Sequence, residues 1–257
     1  MAATHQGPDL SGKTVIVTGG GRGLGLTISQ GFAAAGAKVA LVGRTIETLD
    51  AAVETIRADG GIAHAFAADV ANEESIAATC RDVLALWGKI DVLVNNAGIN
   101  PWYKRPEDTE LSEWQRIIDV NLTGVFLPCK HAGRAMIAAG EGSIINITSV
   151  GGRVALARTT AYCAAKGGVE LLTKQLAFDW AKKGVRVNAV APGYIETDMT
   201  EAFLSHPRLG GQVTGRTPMG RLGKPDELIG ACLFLASPAA SYVTGQSLAV
   251  DGGWTAA

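Results

Sequence analysis

The amino-acid sequence predicts an α/β fold: a doubly wound parallel sheet of about seven strands with helices on both faces. Short runs of β-branched and apolar residues alternate with longer helical stretches, as in chains built from consecutive βαβ units. Most of the short runs are apolar on both faces, which is typical of strands covered by helices on either side. The 257 residues suit one domain, so 1–257 is treated as a single unit.

The order of elements follows from this alternation. The predicted strands lie at 14–19, 38–43, 62–70, 90–98, 142–149, 185–193 and 247–253. The predicted helices lie at 24–35, 46–58, 73–87, 112–139, 160–182 and 226–236. Ser112 and Asp226 are expected N-caps, and Gly36, Gly60 and Gly184 are expected helix stops. The long irregular stretch at about 194–222 is expected to be a substrate lid, because such stretches in compact domains are usually functional.

Composition and charge exclude several functions. Hydrophobic residues make up 47% of the chain and charged residues 18%, which supports a large core and argues against disorder. The net charge is −1 without a long basic run, so nucleic acid is not an expected partner. Four widely spaced cysteines predict reduced thiols and a cytoplasmic protein. Neither these cysteines nor the four histidines have the spacing of a metal site, so no metal is expected.

No membrane segment is expected. The first residues lack the apolar stretch of a signal peptide. The uncharged segment 228–250 is long enough to cross a bilayer. Ser237 and Pro238 interrupt it, however, and its second half is polar. It therefore predicts a buried helix followed by a strand.

Two segments match phosphate-binding patterns, and their context separates them. GPDLSGKT at 7–14 has the letters of a P-loop, but a strand follows it instead of preceding it. TGGGRGLG at 18–25 follows the first strand and opens a helix. Such glycines allow the backbone to approach a pyrophosphate at a helix N-terminus. The predicted dinucleotide contacts in this glycine loop are Gly19, Gly21, Arg22, Gly23, Leu24 and Gly25.

The end of the second strand predicts NADP(H) in preference to NAD(H). NAD sites usually carry an acidic residue about 20 residues beyond the glycine loop. Here Gly43 takes that place, Arg44 follows, and the first acid is Glu47. Arg44 and Arg22 together suit a ribose 2′-phosphate, because the guanidinium fork matches phosphate oxygens. The alternative is that Arg44 is an ordinary solvated residue after a strand.

The chain resembles the short-chain dehydrogenase/reductase family, in its short single-domain Rossmann-type form, over about residues 9–254. The motifs that carry the resemblance, in order, are TGGGRGLG at 18–25, ADV at 68–70, NNAG at 95–98, VNLTG at 120–124, NITS at 146–149, YCAAK at 162–166, NAVAPG at 188–193 and the closing VTGQSLAVDGG. The resemblance implies a catalytic tetrad of Asn121, Ser149, Tyr162 and Lys166. It also implies that Tyr162 and Lys166 contact the cofactor, together with Asp69, Val70, Asn95, Ala97, Gly98, Pro192, Gly193, Ile195 and Thr197.

The implied activity is an NADP(H)-dependent carbonyl reductase or alcohol dehydrogenase, which transfers a hydride between the cofactor and a ketone or secondary alcohol. Tyr162 would be the general acid/base, and Lys166 lies one helical turn away on the same face. Lys166 and the oxidised nicotinamide are expected to lower the pKa of Tyr162. Ser149 would bind the substrate oxygen, and Asn121 would connect Lys166 to solvent through a water. The alternative function is a non-catalytic NADP(H)-binding regulator or scaffold.

The substrate and the assembly are less closely defined. The expected substrate-side residues are Asn100, Trp102, Tyr103, Arg105, Val150, Leu156, Tyr194, Phe203 and His206. Two substrate classes remain open: a sugar, polyol or other hydroxylated ketone, and a 3-oxoacyl thioester such as that of an acyl carrier protein. The resemblance implies a homotetramer. The expected subunit contacts include an apolar stripe on the helix at 160–182, formed by Ala161, Ala165, Val169, Leu172 and Leu176.

Overall fold

The computed structural model describes residues 8–197, 200 and 207–256. Within them, seven parallel strands form one sheet in the order β3-β2-β1-β4-β5-β6-β7. The strands are β1 (Thr14–Thr18), β2 (Lys38–Gly43), β3 (Ile62–Ala67), β4 (Val92–Asn95), β5 (Gly142–Ile147), β6 (Val185–Pro192) and β7 (Ser247–Val250). The doubly wound Rossmann-type fold that the sequence predicts is thereby confirmed.

Helices cover both faces of this sheet. The α-helices of the described residues are α1 (Gly23–Ala34), α2 (Ile46–Ala58), α3 (Glu73–Trp87), α4 (Leu111–Ile118), α5 (Gly124–Ala139), α6 (Thr160–Trp180), α7 (Pro207–Arg216) and α8 (Ile229–Ala236). Side chains alternate along β1: Val15 and Val17 join the core under α1, α2 and α8, whereas Ile16 joins the core under α3, α5 and α6. Phe32 and Met136 are buried at the centres of the two cores.

The functional edge of the sheet lies where the strand order reverses. β1 pairs with β2 on one side and with β4 on the other, and Thr18 at its end is in register with Asn95. The chain leaves β1 and β4 in the same direction, so the loop after each strand opens at the same edge. Ligands of open α/β sheets bind at this switch point, outside the carboxyl ends of the strands.

The predicted strands extend too far at their carboxyl ends. The strand predicted at 90–98 ends at Asn95, and the one predicted at 142–149 ends at Ile147. The strand predicted at 62–70 ends at Ala67. The residues beyond these ends include apolar or small ones such as Val70, Ala97 and Gly98, which extend the apolar pattern of the strands. They form the loops that carry the predicted site residues.

The helix predicted at 112–139 consists of two helices. α4 ends at Ile118, a π-helical turn covers Asp119–Thr123, and α5 begins at Gly124. Single π-helical turns are frequent at functional sites. This one contains Asn121, whose side chain is fully buried. The apolar periodicity continues through the turn, which explains why the pattern predicts one helix.

Two predicted caps are wrong and three predicted stops are confirmed. The carboxylate of Glu113 accepts a hydrogen bond from the Glu110 N–H at 3.1 Å, and Glu110, not Ser112, is the N-cap residue of α4. Asp226 lies inside a 3₁₀ turn, Pro225–Leu228, that precedes α8. The predicted stops at Gly36, Gly60 and Gly184 all have positive φ, a conformation that favours glycine.

Two further expectations change. The stretch at 194–222 is not wholly irregular, because it contains α7. Of the apolar stripe expected to meet another subunit, Ala161, Ala165, Val169 and Leu176 are buried within this chain and Leu172 is partly buried. That stripe packs on the chain's own core. The apolar side chains that α6 exposes are Leu171 and Phe178.

The segment 228–250 forms α8 and then β7, as predicted. None of the described helices has both the length and the apolar character that a membrane span requires. Cys80, Cys129, Cys163 and Cys232 are free thiols. Across the described ranges, no three side chains of the His, Cys, Asp and Glu types gather to hold a metal ion.

Candidate active site

The glycine loop forms a tight cradle after β1. Gly19 and Gly23 have φ values of +65° and +51°, which are strained for other residues. A Cβ added to Gly25 would overlap the Gly19 carbonyl oxygen, and one added to Gly19 would lie 3.0 Å from the Ala97 Cα. The backbone is therefore closely packed here and open to a ligand at the N-terminus of α1. This cradle suits the pyrophosphate of a dinucleotide.

Asn96 and Thr18 hold this cradle, and the sequence did not single out either residue. The Asn96 side-chain amide donates to the Thr18 carbonyl at 3.0 Å and to the Gly19 carbonyl at 3.3 Å. The Thr18 hydroxyl accepts from the backbone N–H groups of Asn96 and Ala97 at 3.0 and 3.1 Å. The loop after β4 is thus bound to the loop after β1. The sequence could have indicated both residues, because each lies at or directly after the end of one of two neighbouring strands.

Asn95 faces away from the cradle. Its side-chain amide donates to the Asn146 side-chain oxygen at 2.9 Å and contacts the Cys129 sulfur at 3.2 Å, inside the core under α5 and α6. The Asn146 amide in turn donates to the Thr173 hydroxyl at 2.9 Å. The Asn95 side chain therefore joins β4 to β5 and α6, and only its backbone lies at the edge of the sheet.

Arg22 and Arg44 are both exposed near the cradle. Arg22 is the N-cap residue of α1, and Arg44 directly follows β2. Within the described ranges, neither guanidinium forms an ion pair with a carboxylate. Gly43 provides no acid at the end of β2, and Glu47 lies in the first turn of α2. This end of the site carries positive charge and suits a phosphate.

Other predicted cofactor residues follow β3 and β6. The Asp69 carboxylate accepts from the Ala71 N–H at 2.9 Å, and Val70 is buried. A Cβ added to Gly193, directly after Pro192, would lie 2.8 Å from the Asp251 Cα, so two loops meet closely there. Ile195 forms a bridge to Gly223 and is buried. The Thr197 N–H donates to the Thr200 hydroxyl at 3.1 Å. All of these residues lie at the carboxyl edge of the sheet.

Lys166 lies at the centre of this edge. Its side chain is buried, with a residue exposure of 4%, and its Nζ donates to the Ile147 carbonyl at 2.7 Å. The Asn121 side chain accepts from the Ile99 N–H at 2.8 Å and donates to the Ile99 carbonyl at 2.7 Å. A Cβ added to Gly98 would lie 3.2 Å from the Asn121 oxygen and 3.8 Å from the Lys166 Nζ. Gly98 therefore allows these two side chains to approach each other.

Ser149 and Tyr162 complete the group. Ser149 follows Thr148 in the turn after β5, and its hydroxyl accepts from the Gly151 N–H at 3.0 Å. Tyr162 is in the first turn of α6 and is hydrogen-bonded to Ser149. The Lys166 Nζ lies 5.8 Å from the centre of the Tyr162 ring. The structure thus brings together all four residues of the predicted tetrad, beside the glycine cradle.

Comparison with known proteins places this site in a family. A family model described as enoyl-(acyl carrier protein) reductase matches residues 19–255. The galactitol 2-dehydrogenase (L-tagatose-forming) of Cereibacter sphaeroides is 43% identical over 248 residues, which cover 96% of each chain. The 3-oxoacyl-(acyl-carrier-protein) reductase of Synechocystis is 43% identical over 251 residues, which cover 95% of this chain and 97% of its own.

A solved structure agrees with these relatives. The crystal structure of a gluconate 5-dehydrogenase from Burkholderia cenocepacia, in complex with NADP and tartrate, has a TM-score of 0.93 and 41% identity. The similarity covers 96% of this chain and 97% of that one. The chain belongs to the short-chain dehydrogenase/reductase family. It is an oxidoreductase that interconverts an alcohol and a carbonyl group, and the alternative of a non-catalytic regulator is set aside.

In this short-chain dehydrogenase/reductase, burial changes the acidity of both central residues. Burial raises the pKa of Tyr162 to about 12, although its hydrogen bond with Ser149 acts in the opposite direction. Burial lowers the pKa of Lys166 to about 8, and the charge of Glu170 opposes that shift. The expected lowering of the Tyr162 pKa by Lys166 is therefore absent from the protein alone, where burial is the largest influence. At neutral pH the phenol is protonated.

The substrate side of the enzyme combines polar groups with aromatic rings. Asn100 is hydrogen-bonded to the Tyr103 hydroxyl. The Asn100 side-chain oxygen is buried, and no described residue donates a hydrogen bond to it. Trp102 packs with Tyr162 against the small apolar cluster of α4 and α6. Arg105 is exposed. These residues lie on the loop that follows β4.

A second wall comes from the other side of the site. Val150 and Trp254 are buried there, with Leu156 and Tyr194 packed against them. The Trp254 ring lies 4.9 Å from the Tyr194 ring, and the Arg216 guanidinium lies 4.4 Å above it. The sequence did not single out Trp254. Its place after the closing VDGG motif was the only signal. Phe203 and His206 lie outside the described residues.

Proposed function

We propose that this short-chain dehydrogenase/reductase uses NADP(H) to interconvert a small polyhydroxylated ketone and the corresponding secondary alcohol, in the sugar or polyol class. The observation that carries the proposal is the gathering of Ser149, Tyr162 and Lys166 beside the glycine cradle. NADP(H), when bound, supplies or accepts the hydride. The residues of this chain orient the substrate and handle its proton.

Each residue has one role in this proposal. Tyr162 transfers a proton to or from the substrate oxygen. Ser149 donates a hydrogen bond to the same oxygen and directs the Tyr162 hydroxyl. Lys166 provides the positive charge that stabilises the phenolate when Tyr162 has given up its proton, and it holds the nicotinamide ribose. Asn121 fixes the Ile99 backbone on the floor of the site, and its predicted water-mediated link from Lys166 to solvent remains part of the proposal.

The acidity of Tyr162 favours the reductive direction in the protein alone. A phenol with a pKa of about 12 is protonated at neutral pH, so it is in the form that can donate a proton and not in the form that can accept one. We therefore expect ketone reduction to proceed at neutral pH and to slow above pH 8, where Lys166, with its pKa of about 8, loses its proton. Alcohol oxidation needs the phenolate and should become faster as the pH rises.

Substitution of Tyr162 tests this chemistry directly. Tyr162→Phe removes the proton-transferring hydroxyl and keeps the ring. We expect turnover, measured at 340 nm, to fall by about 10³-fold or more, while the NADPH dissociation constant stays within about threefold. Tyr242→Phe is the matched control, because Tyr242 is fully exposed. A Tyr162→Phe variant with more than about a tenth of wild-type turnover would refute the proposed role.

The preference for NADP(H) rests on Arg22 and Arg44. Arg44→Asp would place an acid at the end of β2 and repel a 2′-phosphate. We expect the ratio of kcat/KM for NADPH over NADH to fall by about 100-fold, the size of a lost charge-assisted pair plus a new repulsion. Arg81→Asp, on the exposed face of α3, is the control. A wild-type enzyme that prefers NADH would refute the argument from Arg44.

The polyol class is supported by the buried Asn100 oxygen. A buried acceptor without a donor is costly, and a substrate hydroxyl would satisfy it. Asn100→Leu should therefore raise KM for a polyol by about 10-fold or more.

The buried wall of Val150 and Trp254 favours a second candidate substrate, a 3-oxoacyl thioester. A panel of ketoses, polyols, hydroxy acids and 3-oxoacyl thioesters separates the two. Turnover of the thioesters alone would select the second.

We also propose a homotetramer and a cytoplasmic site of action. The four free thiols support a reducing compartment. Association is supported by the apolar side chains that the outer helices expose, namely Leu111, Phe126, Leu171 and Phe178. The double variant Leu171→Glu, Phe178→Glu should lower the mass measured by light scattering after size-exclusion chromatography. A monomeric wild-type enzyme would refute this part.

A further inference from the structure

Glu170 is a carboxylate one helical turn beyond Lys166 on α6, outside the group formed by Asn121, Ser149, Tyr162 and Lys166. Its side chain is 13% exposed. Its Oε1 accepts hydrogen bonds from the Thr148 hydroxyl at 2.6 Å and from the Ser247 hydroxyl at 2.8 Å. The Arg153 Nε lies 3.8 Å from the same oxygen. Glu170 therefore connects α6 to the end of β5 and to β7.

Through its hydrogen bond with Thr148, Glu170 contacts the residue between Ile147 and Ser149, which are the partners of Lys166 and Tyr162. Thr148 lies between Ile147, whose carbonyl accepts from Lys166, and Ser149, which is hydrogen-bonded to Tyr162. A Cβ added to Gly152 would meet both the Lys166 carbonyl and the Glu170 Cγ, at 2.9 and 3.1 Å. The turn after β5 thus packs directly on the part of α6 that carries both side chains.

The charges around this pair are few. On α6 itself, the titratable groups nearest Lys166 are Tyr162, Cys163 and Glu170, and the exposed Lys174 lies one turn beyond Glu170. Arg153 faces Glu170 from the turn after β5, and it also donates to the Ser247 carbonyl. Tyr103, after β4, and Tyr194, after β6, act on Tyr162. Asn121 and the Ile147 carbonyl are uncharged. In the described part of the chain, Glu170 is the charged group whose field acts on Lys166.

We propose that Glu170 is a positioning residue for the catalytic centre: its carboxylate, held by Thr148 and Ser247, keeps the Lys166 side chain charged at working pH and aligned with the Ile147 carbonyl. The proposal rests on the role proposed for Lys166. Burial disfavours the ammonium form of Lys166. An anion one turn away on the same helix face opposes that effect. The two hydroxyl donors keep the carboxylate in place without neutralising it.

Glu170→Gln isolates the charge from the hydrogen bonds. Both hydroxyl donors bind Oε1, and a glutamine oxygen can accept the same two bonds. The titration of Lys166 is read in the cofactor-free protein by NMR of lysines labelled with ¹³C at Cε, and the Lys166 signal is assigned from its loss in Lys166→Met. We expect the titration midpoint in Glu170→Gln to fall by about one pH unit, the size of one charge lost at this spacing.

NADPH binding gives a second readout. With a midpoint one unit below the wild-type value of about 8, the charged fraction of Lys166 at pH 8 falls from about one half to about one tenth. The NADPH dissociation constant at pH 8 should therefore rise by about fivefold, and it should approach that of the wild type near pH 6. A purely structural role for Glu170 would weaken binding equally at both pH values.

Arg153→Gln should shift the titration midpoint of Lys166 in the opposite direction to Glu170→Gln. Loss of the guanidinium near Glu170 removes a cation that screens the carboxylate, so the Lys166 midpoint should rise. Glu54→Gln removes an exposed carboxylate on α2 and is the control. It should leave the Lys166 midpoint within about 0.3 pH unit of wild type.

A midpoint that falls in Glu170→Gln and rises in Arg153→Gln supports the proposal. An unchanged midpoint in either folded variant overturns it, and Arg153→Gln decides the matter if Glu170→Gln does not fold. The midpoint is read without substrate, so it stands even if turnover assays refute the proposed function. Conversely, full turnover by Lys166→Met would refute the role of Lys166 and leave the measured midpoint intact.

Discussion

Lys166 lowers the stability of the fold that it serves, and this cost can be measured. Its ammonium group is buried, with 4% of the residue exposed, and its Nζ donates a hydrogen bond to the Ile147 carbonyl at 2.7 Å. Lys166→Met keeps a straight side chain of similar length and removes the charge. We expect this variant to lose turnover and to be more stable than the wild type at pH 7.

The magnitude follows from the acidity of the side chain. Burial lowers the pKa of Lys166 from 10.5 to about 8. Each pKa unit corresponds to about 1.4 kcal/mol, so keeping the ammonium charged in the folded state costs about 3 kcal/mol. Lys166→Met also loses the hydrogen bond to the Ile147 carbonyl, and this loss destabilises the variant by about 1.5–2 kcal/mol. The net stabilisation expected for Lys166→Met is therefore about 1–2 kcal/mol.

The pH dependence has a definite sign. The pKa of Lys166 is lower in the folded chain than in the unfolded chain, so between about pH 8 and 10.5 the unfolded state binds more protons. Wild-type stability should therefore gain from rising pH in that window, because the folded state sheds the buried charge. The advantage of Lys166→Met should be largest below pH 8 and should shrink toward pH 10.

Urea unfolding followed by circular dichroism at pH 7, 8, 9 and 10 measures this difference. Lys174→Met, at an exposed position on the same helix, is the matched control and should change the free energy of unfolding by less than about 0.5 kcal/mol. The reasoning is refuted if Lys166→Met is the less stable protein at pH 7, or if its advantage stays constant across the four pH values.

Three further substitutions test the packing of the site. Gly25→Ala forces a Cβ onto the Gly19 carbonyl; we expect a loss of about 2–3 kcal/mol in stability and no measurable NADPH binding by fluorescence titration. Asn96→Ala removes the donor to the Thr18 and Gly19 carbonyls, so the NADPH dissociation constant should rise about 10-fold. An unchanged dissociation constant would show that the Asn96 side chain does not hold the glycine cradle. Trp254→Ala empties a buried position and should cost about 3–5 kcal/mol in urea unfolding, whereas a loss below about 1 kcal/mol would contradict its packing.

The fold could be predicted because its main signal is repeated along the chain. Seven apolar runs separated by helical stretches specify a parallel sheet even when several ends are misplaced. The errors concentrate where the strands meet the site. Gly98, for example, was predicted inside a strand, but it lies in a loop next to Asn121 and Lys166. Composition does not distinguish a buried strand from a loop that must pack equally tightly around a ligand.

The opposite directions of the Asn95 and Asn96 side chains could have been predicted from the sequence, whereas the pKa of Lys166 could not. Side chains alternate along a strand, so Asn95 shares a face with Leu93, in the core under α5 and α6, and Asn96 points to the opposite side. That parity is visible in the sequence. The pKa of Lys166, however, depends on how much of its surroundings is desolvated, and this is decided by residues distant in sequence such as Asn121 and Ile147.

Three ionisable side chains stand one turn apart on α6: Tyr162, Lys166 and Glu170. Burial favours the uncharged form of the first two, since it raises the pKa of the phenol to about 12 and lowers that of the ammonium to about 8. The pair in the protein alone is therefore a neutral phenol beside a weakly held cation, and not an ion pair. Because the pKa of Lys166 lies close to neutral pH, the charge of Lys166 responds when charge changes nearby. The charge of Glu170 raises the pKa of Lys166 against the larger effect of burial, so in the proposed role the third residue of the row helps to keep the second one charged beside the phenol.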